Sequence, residues 1–167
     1  EEWKNNIIEK LIIWEQKKPK KIFLAQRNKS LSWDKLSYEE TLSKVKSLSY
    51  FLLKKGLSKN NPVIILSGND NNHALLALSC LFSKIPFSAL SPAHSLYSDN
   101  LNRLENVREI LNTGFIFASN GNIFKNAILK FSLKPEKILV GKSPLPGNLV
   151  IKDIFQKYSN KKVDLVK

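Results

Sequence analysis

Short, uninterrupted apolar segments alternate along this chain with longer segments in which apolar residues recur at helical spacing. PVIIL is followed by a helical pattern at about 71–83, and PFSAL (86–90) by another at 98–111. Strands that are apolar along their whole length are typical of a parallel sheet covered by helices on both faces. We therefore predict an α/β fold with a mostly parallel sheet flanked by helices.

The same patterns predict further elements on both sides of this region. IFLAQR (22–27) and SLSWDKL (30–36) predict a β-hairpin with Asn28 in its turn. GFIFA (114–118) and KILV (137–140) predict two more strands. Helices are predicted at 3–16, 37–55, 122–132 and 150–158, and KSPLPGN (142–148) is predicted to be a loop.

Two of these helices have specific predicted features. In 37–55, Ser37 and Glu40 have capping-box spacing and Gly56 suits a left-handed helix end. Its predicted buried stripe consists of Leu42, Val45, Leu48 and Leu52. The predicted stripe of helix 3–16 consists of Trp3, Ile7, Leu11 and Trp14.

Length and composition predict one domain, or part of one, over residues 1–167. A chain of 167 residues that is 43% hydrophobic can bury one sizeable core. Its apolar runs are far shorter than the roughly 20 residues needed to span a bilayer. The lone Cys80 permits no internal disulfide, so a reduced, cytoplasmic setting is expected. Because the chain contains no methionine, we expect it to be a piece of a longer reading frame.

The formal net charge of +13 raises the possibility of nucleic-acid binding. Only three of the 27 basic residues are arginine, however, which is the residue favoured for base readout and for bidentate phosphate contacts. An A/T-rich genome would also favour lysine codons. We expect no nucleic-acid partner, but a basic nucleic-acid-binding module and a non-catalytic interaction domain remain alternatives.

The polar residues after PVIIL do not form a recognised catalytic or nucleotide motif. SGNDNN has one glycine where a dinucleotide fingerprint needs three, and Ser67 lacks a nucleophile elbow. Asp70 is predicted to cap the next helix. His73 and His94 lack the neighbours of a metal site. GKS (141–143) resembles the end of a phosphate-binding loop, but residue 136 is not the required glycine, so a turn is predicted.

Four segments carry a resemblance to a known family. They are WEQKKPKKIFLAQR, WDKLSYEETLSKVKSLSYFLLKKGLS, PVIILSGNDNNHALLALSCLFSKIPFSALSPAHSL and NTGFIFASNG, spread over roughly residues 7–121. They resemble the N-terminal part of the adenylate-forming acyl- and aryl-CoA synthetases, the AMP-dependent synthetase/ligase superfamily, and most of all the feruloyl-CoA synthase branch. Two positions depart from the pattern. Lys84 stands where relatives usually carry glycine, and His94 stands where the aryl branch tends to carry tyrosine.

The resemblance implies that residues 1–167 are the N-terminal portion of the large domain of an adenylate-forming enzyme. The implied reaction converts a carboxylate, ATP and CoA into acyl-CoA, AMP and pyrophosphate, with Mg²⁺ as cofactor. The implied partners are the carboxylate and the remainder of the polypeptide. The family's Gly/Ser/Thr-rich phosphate loop and its C-terminal lysine have no counterpart in this sequence. No catalytic residue is therefore assigned, and the chain alone is expected to be inactive.

The resemblance also implies a few residues on the CoA side of the intact enzyme. The loop after PFSAL lies beside the CoA channel in the related synthetases, which makes Ser91, Ala93 and His94 candidates. Lys125, after the GFIFA strand, is a candidate for the CoA phosphates. The alternatives are an ordinary proline-containing turn at 91–96 and a solvated lysine. The aromatic residues predicted to be core are Phe82, Phe87, Phe115 and Phe117.

Overall fold

The computed structural model describes residues 6–96 and 101–159. In chain order its elements are α1 (Ile7–Lys17), β1 (Ile22–Arg27), β2 (Trp33–Ser37), α2 (Tyr38–Lys54), β3 (Val63–Leu66), α3 (Asn71–Phe82), β4 (Phe87–Leu90), α4 (Pro92–Leu96), α5 (Asn102–Leu111), β5 (Phe115–Ala118), α6 (Lys125–Lys130), a 3₁₀ turn (Pro135–Lys137), β6 (Ile138–Val140), β7 (Leu149–Val150) and α7 (Ile151–Tyr158).

Five strands form one parallel sheet in the order β4-β3-β5-β6-β7. β3 lies in its interior, with Val63 opposite Phe87 on one side and Phe115 on the other. All four residues of β3 and all four of β5 are buried, as expected for strands covered on both faces. The predicted α/β fold with a mostly parallel sheet is confirmed.

Side-chain alternation along the strands divides the core into two clusters, one on each face of the sheet. Val63 and Ile65 of β3 pack with residues of α1, α2, α3 and α7, whereas Ile64 and Leu66 pack with residues of α5 and α6. Phe82, Phe115 and Phe117 are fully buried, as predicted. Phe87 is only partly buried, because β4 is an edge strand.

The N-terminal elements pack against α2 and α3. β1 and β2 form the predicted antiparallel hairpin, and Asn28 lies in its turn. The predicted stripe of α1 is partly wrong: Ile7 is 57% exposed and Trp14 is 39% exposed, while Ile8 and Leu11 are buried. Ile7 is the first residue of the helix, and its neighbour Ile8 faces the core in its place. Trp3 lies outside the described residues.

The capping predictions for α2 are confirmed. Ser37 Oγ accepts the Glu40 N–H at 3.2 Å, and Glu40 Oε2 accepts the Ser37 N–H at 2.8 Å. The bond from the Ser37 backbone N–H is the largest cause that lowers the pKa of the Glu40 carboxyl. The predicted stripe is buried, and Gly56 ends the helix with φ +75°.

Several element boundaries differ from the sequence-based predictions. The helix predicted at 122–132 is α6, of six residues, because the Asn120 side chain holds the N–H groups of Asn122 and Ile123 in a turn. Residues 149–150 add a strand, β7, that was not predicted. The segment 91–96 contains a short helix, α4, rather than a simple turn.

The helix predicted at 98–111 is described only in part. Its described portion is α5, and residues 98–100 lie outside the described residues. Leu101 and Leu104 are buried as predicted, whereas Val107 and Leu111 are half-buried and pack against the core from its edge.

Candidate functional site

The strand order reverses direction between β3 and β5 at the carboxyl edge of the parallel sheet. From β3 the chain crosses to β4 on one side, and the next strand, β5, pairs with β3 on its other side. In open α/β sheets, ligands bind in crevices at such a switch point. Binding groups are therefore expected in the segments that follow β3, β4 and β5.

After β3, the polar groups are paired with one another. Ser67 Oγ donates to the Asp70 carboxylate, and Asp70 Oδ1 accepts the His73 N–H at 2.9 Å, which confirms Asp70 as the N-cap of α3. His73 Nδ1 lies 3.0 Å from the Gly68 carbonyl oxygen. The Ser67 hydroxyl thus contacts a carboxylate and no imidazole, so this segment is a helix-capping connector.

After β5 and β6, two turns pack backbone against backbone. The Gly141 N–H donates to the Ala118 carbonyl at 2.9 Å, and the Gly121 N–H donates to the Lys142 carbonyl at 3.0 Å. A Cβ atom on Gly141 would lie 2.6 Å from the Ser119 carbonyl oxygen. The glycine of GKS therefore permits close packing of two turns, in agreement with the predicted turn.

After β4, the candidate residues Ser91, Ala93 and His94 lie at the start of α4. Ser91 Oγ accepts the Ala93 N–H at 3.3 Å, and the Ser91 carbonyl accepts the His94 N–H at 2.9 Å and the Ser95 hydroxyl at 3.1 Å. Pro92 occupies the first helical position, where proline is well tolerated. Ser91 therefore caps the short helix, while the His94 side chain remains exposed.

Lys125, the fourth candidate, is the first residue of α6, and its side chain is exposed. α4 packs against α6, so the structure brings the helices that carry His94 and Lys125 together. Lys125 also lines a surface cavity of about 320 Å³ beside α6, to which none of the α4 candidates contributes. Sequence reasoning missed this cavity, because its walls come from separate segments between residues 125 and 148.

The described residues were also compared with the requirements of a metal site and of a membrane-spanning helix. They include no cluster of three or more His, Cys, Asp or Glu side chains arranged to hold a metal ion. None of the helices within the described ranges is long and apolar enough to cross a bilayer.

Sequence searches and structural comparison give different results. No protein-family model and no curated protein matches the sequence. By structure, 98% of the chain superposes on coronafacic acid ligase from Pectobacterium brasiliense with a TM-score of 0.76 and 15% identity, covering 32% of that protein.

Two other solved structures give similar results. Acetoacetyl-CoA synthetase from Streptomyces lividans has a TM-score of 0.75 and 11% identity, over 96% of this chain and 26% of that one. The luciferase-like enzyme from the nonluminescent mealworm Zophobas morio has a TM-score of 0.71 and 16% identity, over 96% and 36%. The chain thus spans between 26% and 36% of the length of these three proteins. These comparisons establish the fold, which is that of the N-terminal part of adenylate-forming enzymes.

Proposed function

We propose that this chain is the N-terminal part of an ATP-dependent acyl- or aryl-CoA ligase. The observation that carries the proposal is the superposition of nearly the whole chain on ligases and synthetases, at TM-scores of 0.75 and 0.76 for two of them. The family segments of the sequence support it independently, since they extend from α1 to the turn after β5.

In the proposed reaction, the intact enzyme activates a carboxylate with ATP and Mg²⁺, releases pyrophosphate and transfers the acyl group to CoA. A feruloyl-type aryl acid is the proposed substrate, and the cytoplasm is the proposed location. Activation of the carboxylate requires groups that hold the ATP phosphates and neutralise developing charge. In this proposal they come from the remainder of the polypeptide, which is also the partner of this domain.

The proposed CoA-facing edge is formed by Ser91, Ala93 and His94 of the α4 segment, together with Lys125. Two features support it. α4 follows the carboxyl end of β4, where ligand crevices form in α/β sheets, and α4 packs against the helix that begins with Lys125. His94 and Lys125 are both exposed and would be accessible to a phosphate-bearing ligand.

A pyrophosphate-release assay tests the proposal that the catalytic groups lie outside this chain. The purified 167-residue chain is incubated with ATP, Mg²⁺, CoA and a panel of ferulate, benzoate, acetate and a fatty acid. No pyrophosphate above the protein-free rate is expected, because the phosphate loop is absent from this sequence. Carboxylate-dependent release by the chain alone would contradict the proposal that the catalytic groups lie in the remainder of the polypeptide.

A further inference from the structure

A cavity of about 320 Å³ lies between α6 and the segments on either side of β6. Its apolar lining includes Ile128, Leu133, Ile138 and Leu145. Ligand pockets for small molecules typically measure about 300–1,000 Å³ and are mostly apolar, with a few polar groups that orient the ligand. The cavity is therefore large enough for one small molecule with an apolar body and too small for a folded partner.

The walls of this cavity are held by local backbone structure. The Leu145 N–H donates to Asn148 Oδ1 at 3.2 Å, and the Asn148 N–H donates to the Leu145 carbonyl at 3.0 Å. Gly147, at φ +79°, packs so closely on Pro135 that a Cβ atom would lie 2.9 Å from the proline Cβ. The cavity is thus preformed, which lowers the entropic cost of binding a ligand.

The lining of the cavity carries charge of one sign only. Lys125 is at its rim, forms no ion pair among the described residues, and is the only charged side chain in the lining. Asn148 Oδ1 is engaged by the Leu145 N–H, so its amide Nδ2 is left as a donor in the lining. One ammonium group and one amide donor, next to an apolar surface, are complementary to a single carboxylate on an apolar body.

We propose that this cavity binds a small apolar monocarboxylate, with the apolar body against Ile128 and Leu133 and the carboxylate at Lys125 Nζ. A phosphate ester fits less well, because arginine and clustered cations, which favour the phosphate dianion, are absent from the lining. None of the α4 residues contributes to this cavity, and Lys125 is the one residue that it shares with the proposed CoA-facing edge.

Amide-resolved NMR titration of the 167-residue chain with octanoate tests this site. Saturable shifts are expected in α6 and in residues 132–148. The uncharged 1-octanol should bind more weakly than octanoate, and octylammonium more weakly still. These two probes separate the contribution of the carboxylate from that of the apolar body. A lack of saturable binding, shifts centred elsewhere, or equal affinity for octanoate and octylammonium would overturn the proposal.

Two variants and one control make the test specific to the named residues. Lys125→Met should weaken octanoate binding by about two- to fivefold, as expected for loss of an exposed charge pair, and should remove the preference over 1-octanol. Leu129→Gln, at a rim residue that is 59% exposed, should weaken both ligands. The control Lys152→Met, on α7 and away from the cavity, carries the same loss of charge and should bind like wild type. Equal behaviour of Lys125→Met and Lys152→Met would contradict the assignment of Lys125.

Discussion

Lys84 occupies a backbone conformation that normally favours glycine. It follows the end of α3 with φ +53°, and the Ile85 N–H returns to the Cys80 carbonyl at 2.9 Å while the Lys84 N–H reaches the Leu81 carbonyl at 3.3 Å. This is the bonding pattern of a Schellman motif. Gly56 ends α2 in the same way, with φ +75°. Glycine, which is usual here in similar sequences, adopts this left-handed conformation without strain. Lys84 adopts it with a Cβ atom and is therefore strained.

Replacing Lys84 by glycine should therefore stabilise the chain. We expect Lys84→Gly to raise the free energy of unfolding by about 1 kcal/mol, since a side chain in the left-handed region costs about 1–2 kcal/mol. The measurement is chemical denaturation monitored by circular dichroism. Lys84→Ala is the matched control, because it removes the charge but retains the Cβ atom. A glycine variant no more stable than the alanine variant would contradict strain at this position.

Cys80 is buried in α3, and burial raises the pKa of its thiol to about 12. In the unfolded chain the thiol has its ordinary pKa of 9.0, so its ionisation there favours unfolding at high pH. The stabilising effect of the buried neutral thiol is complete below pH 9 and is lost as the pH rises toward 12. We expect the free energy of unfolding to fall by up to about 1.4 kcal/mol per pH unit in this window.

The effect of Cys80 is isolated by comparing wild type with Cys80→Ala. The free energy of unfolding of each protein is measured between about pH 8 and pH 11, in steps of about one pH unit. Lysine titration affects both proteins, so the difference between their slopes reports the thiol. In native wild type the thiol should also react with a thiol reagent only on unfolding. Parallel slopes, or rapid labelling of the folded chain, would show that Cys80 is accessible.

At the scale of elements, the capping box at the start of α2 joins the hairpin to the helix that covers one face of the sheet. We expect Ser37→Ala to lower the free energy of unfolding by about 1 kcal/mol, because the Glu40 N–H loses its partner. The control is Ser43→Ala, at an exposed residue of the same helix, which should be neutral or slightly stabilising. Equal losses in both variants would count against the cap.

The same capping box has a pH signature. The pKa of Glu40 is lowered in the folded chain by the bond from the Ser37 N–H. The contribution of this carboxylate to the free energy of unfolding is therefore present above pH 4.5 and is lost as the pH falls through the lowered pKa. Glu40→Gln should remove this part of the acid sensitivity, which acid titration of both proteins would reveal.

The elements that could be predicted from the sequence are those with enough residues to show a pattern. The buried strands and α2 have strong patterns, and the structure confirms them. α4 and β7 have five and two residues, too few for any periodicity. α6 is shortened by the Asn120 turn, whose side-chain bonds to the backbone leave no periodic signal. In α1 the predicted stripe matches the structure only at Leu11, because Ile8 takes the buried position that was predicted for its neighbour Ile7 and Trp14 lies partly exposed near the end of the helix.

At the scale of the whole molecule, the sheet has two different edges. β7 has only two residues, whereas β4 pairs four residues with β3 and has its other side free of any strand among the described residues. β4 has no charged side chain, although charges commonly protect edge strands from association. In the proposed intact enzyme, the remainder of the polypeptide would cover this edge.

The functional residues were less predictable than the fold. Ser91, Ala93, His94 and Lys125 remain predictions based on resemblance, and the structure adds the contact between α4 and α6. The cavity beside Lys125 could not be predicted, because it depends on how the turn at Gly147 packs against Pro135, which no local pattern encodes. Sequence periodicity reports burial within an element, whereas a cavity depends on the distance between elements.

The most direct test of the central claim is AMP formation by the product of the complete reading frame that encodes this chain. With ATP, Mg²⁺, CoA and a carboxylic acid, we expect AMP and an acyl thioester to form in equal amounts, and we expect that omitting the acid abolishes both. Ferulate should be among the acids used. A reading frame that ends at Lys167, or a longer product that forms no carboxylate-dependent AMP, would contradict the claim that this α/β unit belongs to an acyl-CoA ligase.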